Sequence, residues 1–222
     1  MPSAFLLRAS EPALQRSKAA LFGCEGWELA GVSQRCAEAI ERLPLLQPDL
    51  LLADQRLADG PLIRLLVQRA ERRQRLPVLI WCSLPDDPRL FDSLLLGVRG
   101  FLPEPGDRRP LAALLQATLE ERHELNPSLA RELLRRLNTP RLAPQTACER
   151  AMAANANGAG LLRVLSIAQQ ALLSLLAHGW LPREIAGAWA LEVAEVERRV
   201  GQLLRLLPRL LPQVQPVATI AL

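Results

Sequence analysis

The chain has 222 residues, 50% of them hydrophobic and 23% charged, with a formal net charge of +4. This is the profile of a soluble globular protein, and no apolar run reaches the ~18 residues needed to span a bilayer, because Arg, Asp, Gln or Pro interrupts each one. The opening "MPSAFLLRASEP" meets Arg8 before a signal-peptide core can form, so the expected compartment is the cytoplasm, with no membrane contact.

From residue 4 to 120, short apolar runs alternate with amphipathic stretches. They are "AFLLR" then 12–22, "WELAGV" then 33–42, "DLLLA" then 61–73, "PVLIWC" then 87–96, and "VRGFL" then 108–120. Helical spacing is visible at Leu62, Leu65 and Leu66, and at Leu111, Leu114, Leu115 and Thr118. Five strands each followed by a helix predict a parallel sheet covered on both faces. Active crevices in such sheets lie at the carboxyl ends of the strands. Asp54, closing "PDLLLAD", falls at the end of the third strand.

"NPSLARELLRRL" reads as a helix with Asn126 as N-cap and Pro127 in its first turn. Residues 138–160 combine prolines and small residues without periodicity and read as a linker. From 161 onward the pattern is helical. Leu172, Leu175 and Leu176 line one helix that stops at "HG", "LPREIAGAWA" is a short second helix, and Val193, Val196, Val200, Leu203, Leu204 and Leu207 form the seam of a third. Two helices joined by a tight turn behind a scaffold helix are a helix-turn-helix, whose last helix enters the major groove. A helical packing module is the alternative. The expected divisions are 1–122, 123–160 (helix and flexible linker), 161–210 and a Pro-rich tail at 211–222.

Cys24, Cys36, Cys82 and Cys148 form no CxxC, and His123 and His178 do not stand at metal-ligand spacing, so inert thiols are expected. Neither a nucleophile–base pair nor a phosphate loop is evident, so no enzyme, metal or cofactor is expected. Residues 1–120 carry 15 basic and 15 acidic side chains, whereas 121–222 carry 12 and 8. The second half therefore holds the whole basic excess, a hint of a polyanionic partner.

Together the two halves resemble a response regulator of the LuxR/FixJ type: a flavodoxin-like (receiver-like) α/β domain with a five-stranded parallel sheet, then an all-α helix-turn-helix domain. In the second half the resemblance is carried by Leu165, Ser166, Leu173, Ala177, Gly179, Glu184, Ile185, Ala186 and Val196 within "LSIAQQALLSLLAHGWLPREIAGAWALEVAEVERRVGQLLRLL". In the first half it rests on "PDLLLAD", "LPVLIWCS" and "GVRGFLPE".

The resemblance makes Asp54 the phosphoacceptor equivalent and implies a degenerate receiver pocket around it. Ala9 and Ser10 stand where the family has its metal-binding acids, Cys82 replaces the hydroxyl residue, with Ser83 next to it, and Glu104 replaces the lysine. One carboxylate in place of three binds Mg²⁺ poorly, and Glu104 would repel an aspartyl phosphate. Glu11, one residue late, is the candidate replacement ligand.

On the recognition helix, 192–206, Glu195, Glu197 and Arg199 replace the family's Thr, Lys and His. Arg183, Arg198, Arg199 and Arg205 are the candidate DNA contacts. Pro208, Pro212 and Pro216 are expected to break the helix that follows in the family. The expected function is that of an atypical response regulator, a DNA-binding transcriptional regulator controlled independently of phosphorylation. Double-stranded DNA is its expected partner, with a homodimer and a regulatory protein partner as further candidates. The rival is a protein-interaction adaptor that has given up both phosphorylation and DNA binding.

Overall fold

The computed structural model describes residues 1–71, 76–82, 88–103, 111–138 and 164–210. Five strands, β1 (Ser3–Leu7), β2 (Glu28–Ser33), β3 (Leu50–Asp54), β6 (Val78–Cys82) and β7 (Gly100–Pro103), form one parallel sheet in the order β2-β1-β3-β6-β7. This is the flavodoxin-like order, with the switch point between β1 and β3. The central strands read as unbroken apolar runs because both of their faces are buried: Phe5, Leu6, Leu7, Leu50, Leu51, Leu52, Ala53, Val78 and Ile80 are fully inaccessible. Each of the Leu, Ile, Val and Phe side chains among them contributes roughly 1.5–3 kcal/mol by leaving water.

The covering helices are α1 (Glu11–Phe22), α2 (Cys36–Leu46), α3 (Ile63–Glu71), α4 (Pro88–Leu95) and α5 (Leu111–Leu119). Two of them depart from the sequence expectation. Helix α2 begins at Cys36 rather than 33, because Ser33 stays in β2 opposite Leu7 and the free N–H groups of Cys36 and Ala37 donate to the Asp59 carboxylate (2.7 and 2.9 Å). Helix α3 begins at Ile63 because β4 (Arg56–Leu57) and β5 (Gly60–Pro61) pair as a small antiparallel ladder just before it. Asp59 in that ladder's turn caps α2, so the loop after β3 is tied to the start of a helix 22 residues earlier.

Helix α6 (Pro127–Asn138) starts with the Ser128 N–H donating to Asn126 Oδ1 (2.7 Å) and buries Leu129, Ala130, Leu133 and Leu137. Helices α7 (Ile167–Ala177), α8 (Pro182–Trp189) and α9 (Val193–Leu210) follow. A reciprocal Ser166–Gln169 capping box opens α7, Gly179 at φ 92° lets the chain turn after it, and Ala190 in the left-handed region turns α8 into α9. Pro208 does not end α9, which runs on to Leu210 because Leu207 and Leu210 are both buried. Val193, placed by its spacing in the α9 seam, is 42% exposed instead. One apolar core joins α4 and α6 to α7, α8 and α9. No described helix is long and apolar enough to cross a membrane. The 139–163 stretch and the tail beyond 210 lie outside the described residues.

Candidate functional site

The parallel register that pairs Leu7 with Ala53 extends by one step to bring Arg8 beside Asp54, and Asp54 pairs in turn with Trp81 of β6. The carboxylate at the sheet's carboxyl edge therefore faces a guanidinium. Arg8 Nε lies 3.3 Å from Asp54 Oδ1, and the Arg8 guanidinium stacks 4.0 Å from the Trp81 ring centroid. The Ala9 N–H donates to Asp54 Oδ2 at 2.6 Å. The Arg8 side chain is 2% exposed and that of Asp54 15%. One carboxylate oxygen thus accepts a backbone N–H, and the other lies in ion-pair range of a charge that the chain itself supplies.

Mg²⁺, which the resemblance implies, does not fit this donor set. A hard dication needs several oxygen ligands, while Ala9 and Ser10 offer no carboxylate and Ser10 instead opens α1, its carbonyl accepting from the Leu14 N–H. Glu11 is not a replacement ligand, because its two oxygens accept from Gln15 and Gln34 (2.5 and 2.6 Å). The Arg8 guanidinium would repel a dication at the one carboxylate present. Cys82 is buried at the end of β6, while Ser83 and Glu104 lie outside the described residues. Arg8 is the residue that sequence reasoning missed. Its signal was positional: a cation one step past a central strand, in register with Asp54.

On α9 the candidate contact residues are already occupied. Glu195 accepts from both Arg198 and Arg199 (3.0 and 2.9 Å), and Arg205 pairs with Glu121, which follows α5. Arg183 on α8 is exposed and has no partner among the described residues. Glu197, read from the sequence as a carboxylate near phosphates, is 7% exposed and turned away from solvent, 3.2 Å from Arg122. The recognition helix therefore presents one face, Glu197, Gly201 and Arg205, to the turn that joins α5 to α6.

No protein-family model matches the chain. It is 27% identical over 177 residues, 80% of this chain and 75% of the relative, to the DNA-binding transcriptional activator DevR/DosR of Mycobacterium tuberculosis. Among solved structures, a complex of two RcsB dimers bound to two parallel DNAs matches with TM-score 0.53 at 18% identity, covering 96% of this chain and 98% of that one. The RcsB response regulator of Salmonella typhimurium matches with TM-score 0.50 at 20% identity over 93% of each chain. The structural matches extend the shared fold across both halves. The fold of the chain is that of a receiver domain joined to a helix-turn-helix domain.

The two domains meet through polar contacts as well as the shared core. The His123 N–H donates to the Glu197 carbonyl (3.1 Å), and Arg131 Nη1 donates to the Ala177 carbonyl at the end of α7 (2.9 Å). Arg136 lies 4.0 Å over the Phe91 ring and within 3.9 Å of Asp92. Gly201 lets α9 approach most closely, since a Cβ there would lie 2.2 Å from the Glu121 carbonyl oxygen. The His123 imidazole, 6% exposed, is pushed down to about 4 by burial and by the nearby Arg99 and Arg205 charges, so it is neutral at pH 7. The receiver and α9 are docked, and the face of α9 that carries Glu197, Gly201 and Arg205 is turned inward.

Proposed function

We propose that this protein is a response regulator, a cytoplasmic, DNA-binding transcriptional regulator whose receiver domain works without phosphorylation of Asp54. The observation that carries the reading is the buried Arg8–Asp54 pair. Phosphoryl transfer to a carboxylate requires a free oxygen for in-line attack and a metal ion to spread the developing charge. Asp54 has both oxygens engaged and stands in a donor set that does not suit Mg²⁺. The receiver then acts as a platform that holds α9, and control comes from contacts that shift the docked population.

Incubating the intact protein with acetyl phosphate and Mg²⁺ should leave its mass unchanged. A stoichiometric phosphoryl adduct that disappears in Asp54→Ala overturns the reading. DNA binding is supported by the DevR/DosR relative and by the exposed Arg183 and Arg198. If Arg183, Arg198, Arg199 and Arg205 each neutralise one phosphate, log K should fall with log salt at a slope of roughly −3 to −4 per copy, doubled in a homodimer.

A second reading, a protein-interaction adaptor, is favoured by one observation: Glu197 and Arg205 are spent on the receiver. Binding of promoter-sized duplex at low salt separates the two. If neither the wild type nor a variant built to undock α9 binds, the adaptor reading replaces the regulator.

A further inference from the structure

We infer that the cleft between the receiver and helix-turn-helix domains is a binding site for a small amphipathic anion, an apolar body carrying one carboxylate, sulfonate or phosphate group. The cleft encloses about 660 Å³ and is walled on one side by β6, β7 and α5 and on the other by the starts of α8 and α9. That volume lies within the range of small-molecule sites, roughly 300–1,000 Å³. Along its outer wall Trp180, Leu181 and Val193 stand 41%, 44% and 42% exposed, large apolar side chains that an occupant would cover.

Charge in the cleft selects the sign of the ligand. Three arginines, Arg99, Arg122 and Arg183, line it against two glutamates, Glu124 and Glu197. Arg122 is consumed by Glu120 and Glu197. Arg183 is without a partner among the described residues, and the Nη1 of Arg99 is buried with no acceptor among them. Burial and the Arg205 charge work against the Arg99 charge, and the Glu121 carboxylate partly offsets them. An anion in the cleft would meet the charges of Arg183 and Arg99 on its lining, and a charge-assisted bond is stronger than a neutral one. His123, neutral at pH 7, adds no competing charge. Because both domains form the walls, the bound anion would hold the docked arrangement by mass action.

The test involves no DNA, so it stands or falls apart from the regulatory reading. The intact chain is titrated with 1-anilinonaphthalene-8-sulfonate and, in parallel, with N-phenyl-1-naphthylamine, the same apolar frame without the sulfonate. One sulfonate probe should bind per chain, more tightly than the neutral probe, and decanoate should displace it whereas 1-decanol should not. Arg183→Gln, on an exposed side chain whose loss leaves the fold intact, should weaken the sulfonate about tenfold and the neutral probe less than twofold. Arg99→Gln should do the same where its melting curve stays cooperative, and Arg16→Gln, on the far exposed face of α1, should change neither. Equal affinity for the two probes, several sites per chain, or an unchanged sulfonate affinity in Arg183→Gln overturns the inference.

Discussion

The pocket around Asp54 and the outer face of α9 both pair arginine with carboxylate, and burial makes the two pairings different devices. In the pocket, Arg8 is buried and stacked on Trp81 and Asp54 is largely buried beside it, so neither can be exchanged for a ligand without stranding the other. On α9, Arg198 and Arg199 share Glu195 at the surface, where such pairs are weak, screened by salt and readily traded for a phosphate. The same chemistry locks one site and only holds the other in reserve.

The largest effect should come from breaking the buried pair. Arg8→Met is expected to cost about 3–5 kcal/mol in urea unfolding, because it leaves an uncompensated carboxylate, while Arg8→Met combined with Asp54→Leu should recover most of that loss. A cost below about 1 kcal/mol for the single change would put both pairings in the same class. Next in size is the pH dependence of the docked interface. His123 binds its proton near 6.5 when unfolded and only near 4 when folded. Stability should therefore be complete above pH 6.5 and decline as pH falls towards 4, by about 3 kcal/mol in all. The paired carboxylates Glu120, Glu132 and Glu195 add their own losses only below the ordinary carboxylate range. His123→Gln should flatten the 4–6.5 window in chemical unfolding at fixed temperature, and a slope that persists would assign it elsewhere.

A smaller change sharpens the contrast at α9. Gly201→Ala places a Cβ against the Glu121 carbonyl, and overpacking of this kind costs roughly 1–3 kcal/mol. That strain falls on the docked form alone, so duplex affinity should rise even as the melting temperature falls. Glu195→Thr is expected to matter least: a few-fold tighter duplex binding, read by fluorescence anisotropy at low salt, with no change in melting temperature. Glu197→Lys, by contrast, would set a lysine against Arg122 in the buried contact, so its effect should appear in stability first.

Much of the fold is legible in the sequence because both faces of a parallel sheet are buried. Runs such as "DLLLA" and "PVLIWC" carry no polar break, and the intervening helices keep their own period. What escaped depended on partners far along the chain. The start of α2 is set by Asp59. Pro208 stays helical because Leu207 and Leu210 are buried around it, packing overriding propensity. Ala9 and Ser10 are visible as missing acids, but Arg8 looks like an ordinary strand end until the register of β1 against β3 is known. From its helical position Glu197 reads as a residue near phosphates, whereas its surroundings come from a loop 75 residues earlier.

The Arg8–Asp54 pair also sets a direction on change in sequence space. Rebuilding a metal site would need Arg8 replaced and acids introduced at the Ala9 and Ser10 positions. Removing Arg8 first strands Asp54, and a cost of about 3–5 kcal/mol is a large share of the roughly 5–15 kcal/mol that holds a domain together. Adding acids first draws extra carboxylates to Arg8 with no dication to join them. Either order of single steps passes through a weaker protein, so the internal cation behaves as a ratchet that is easier to enter than to reverse.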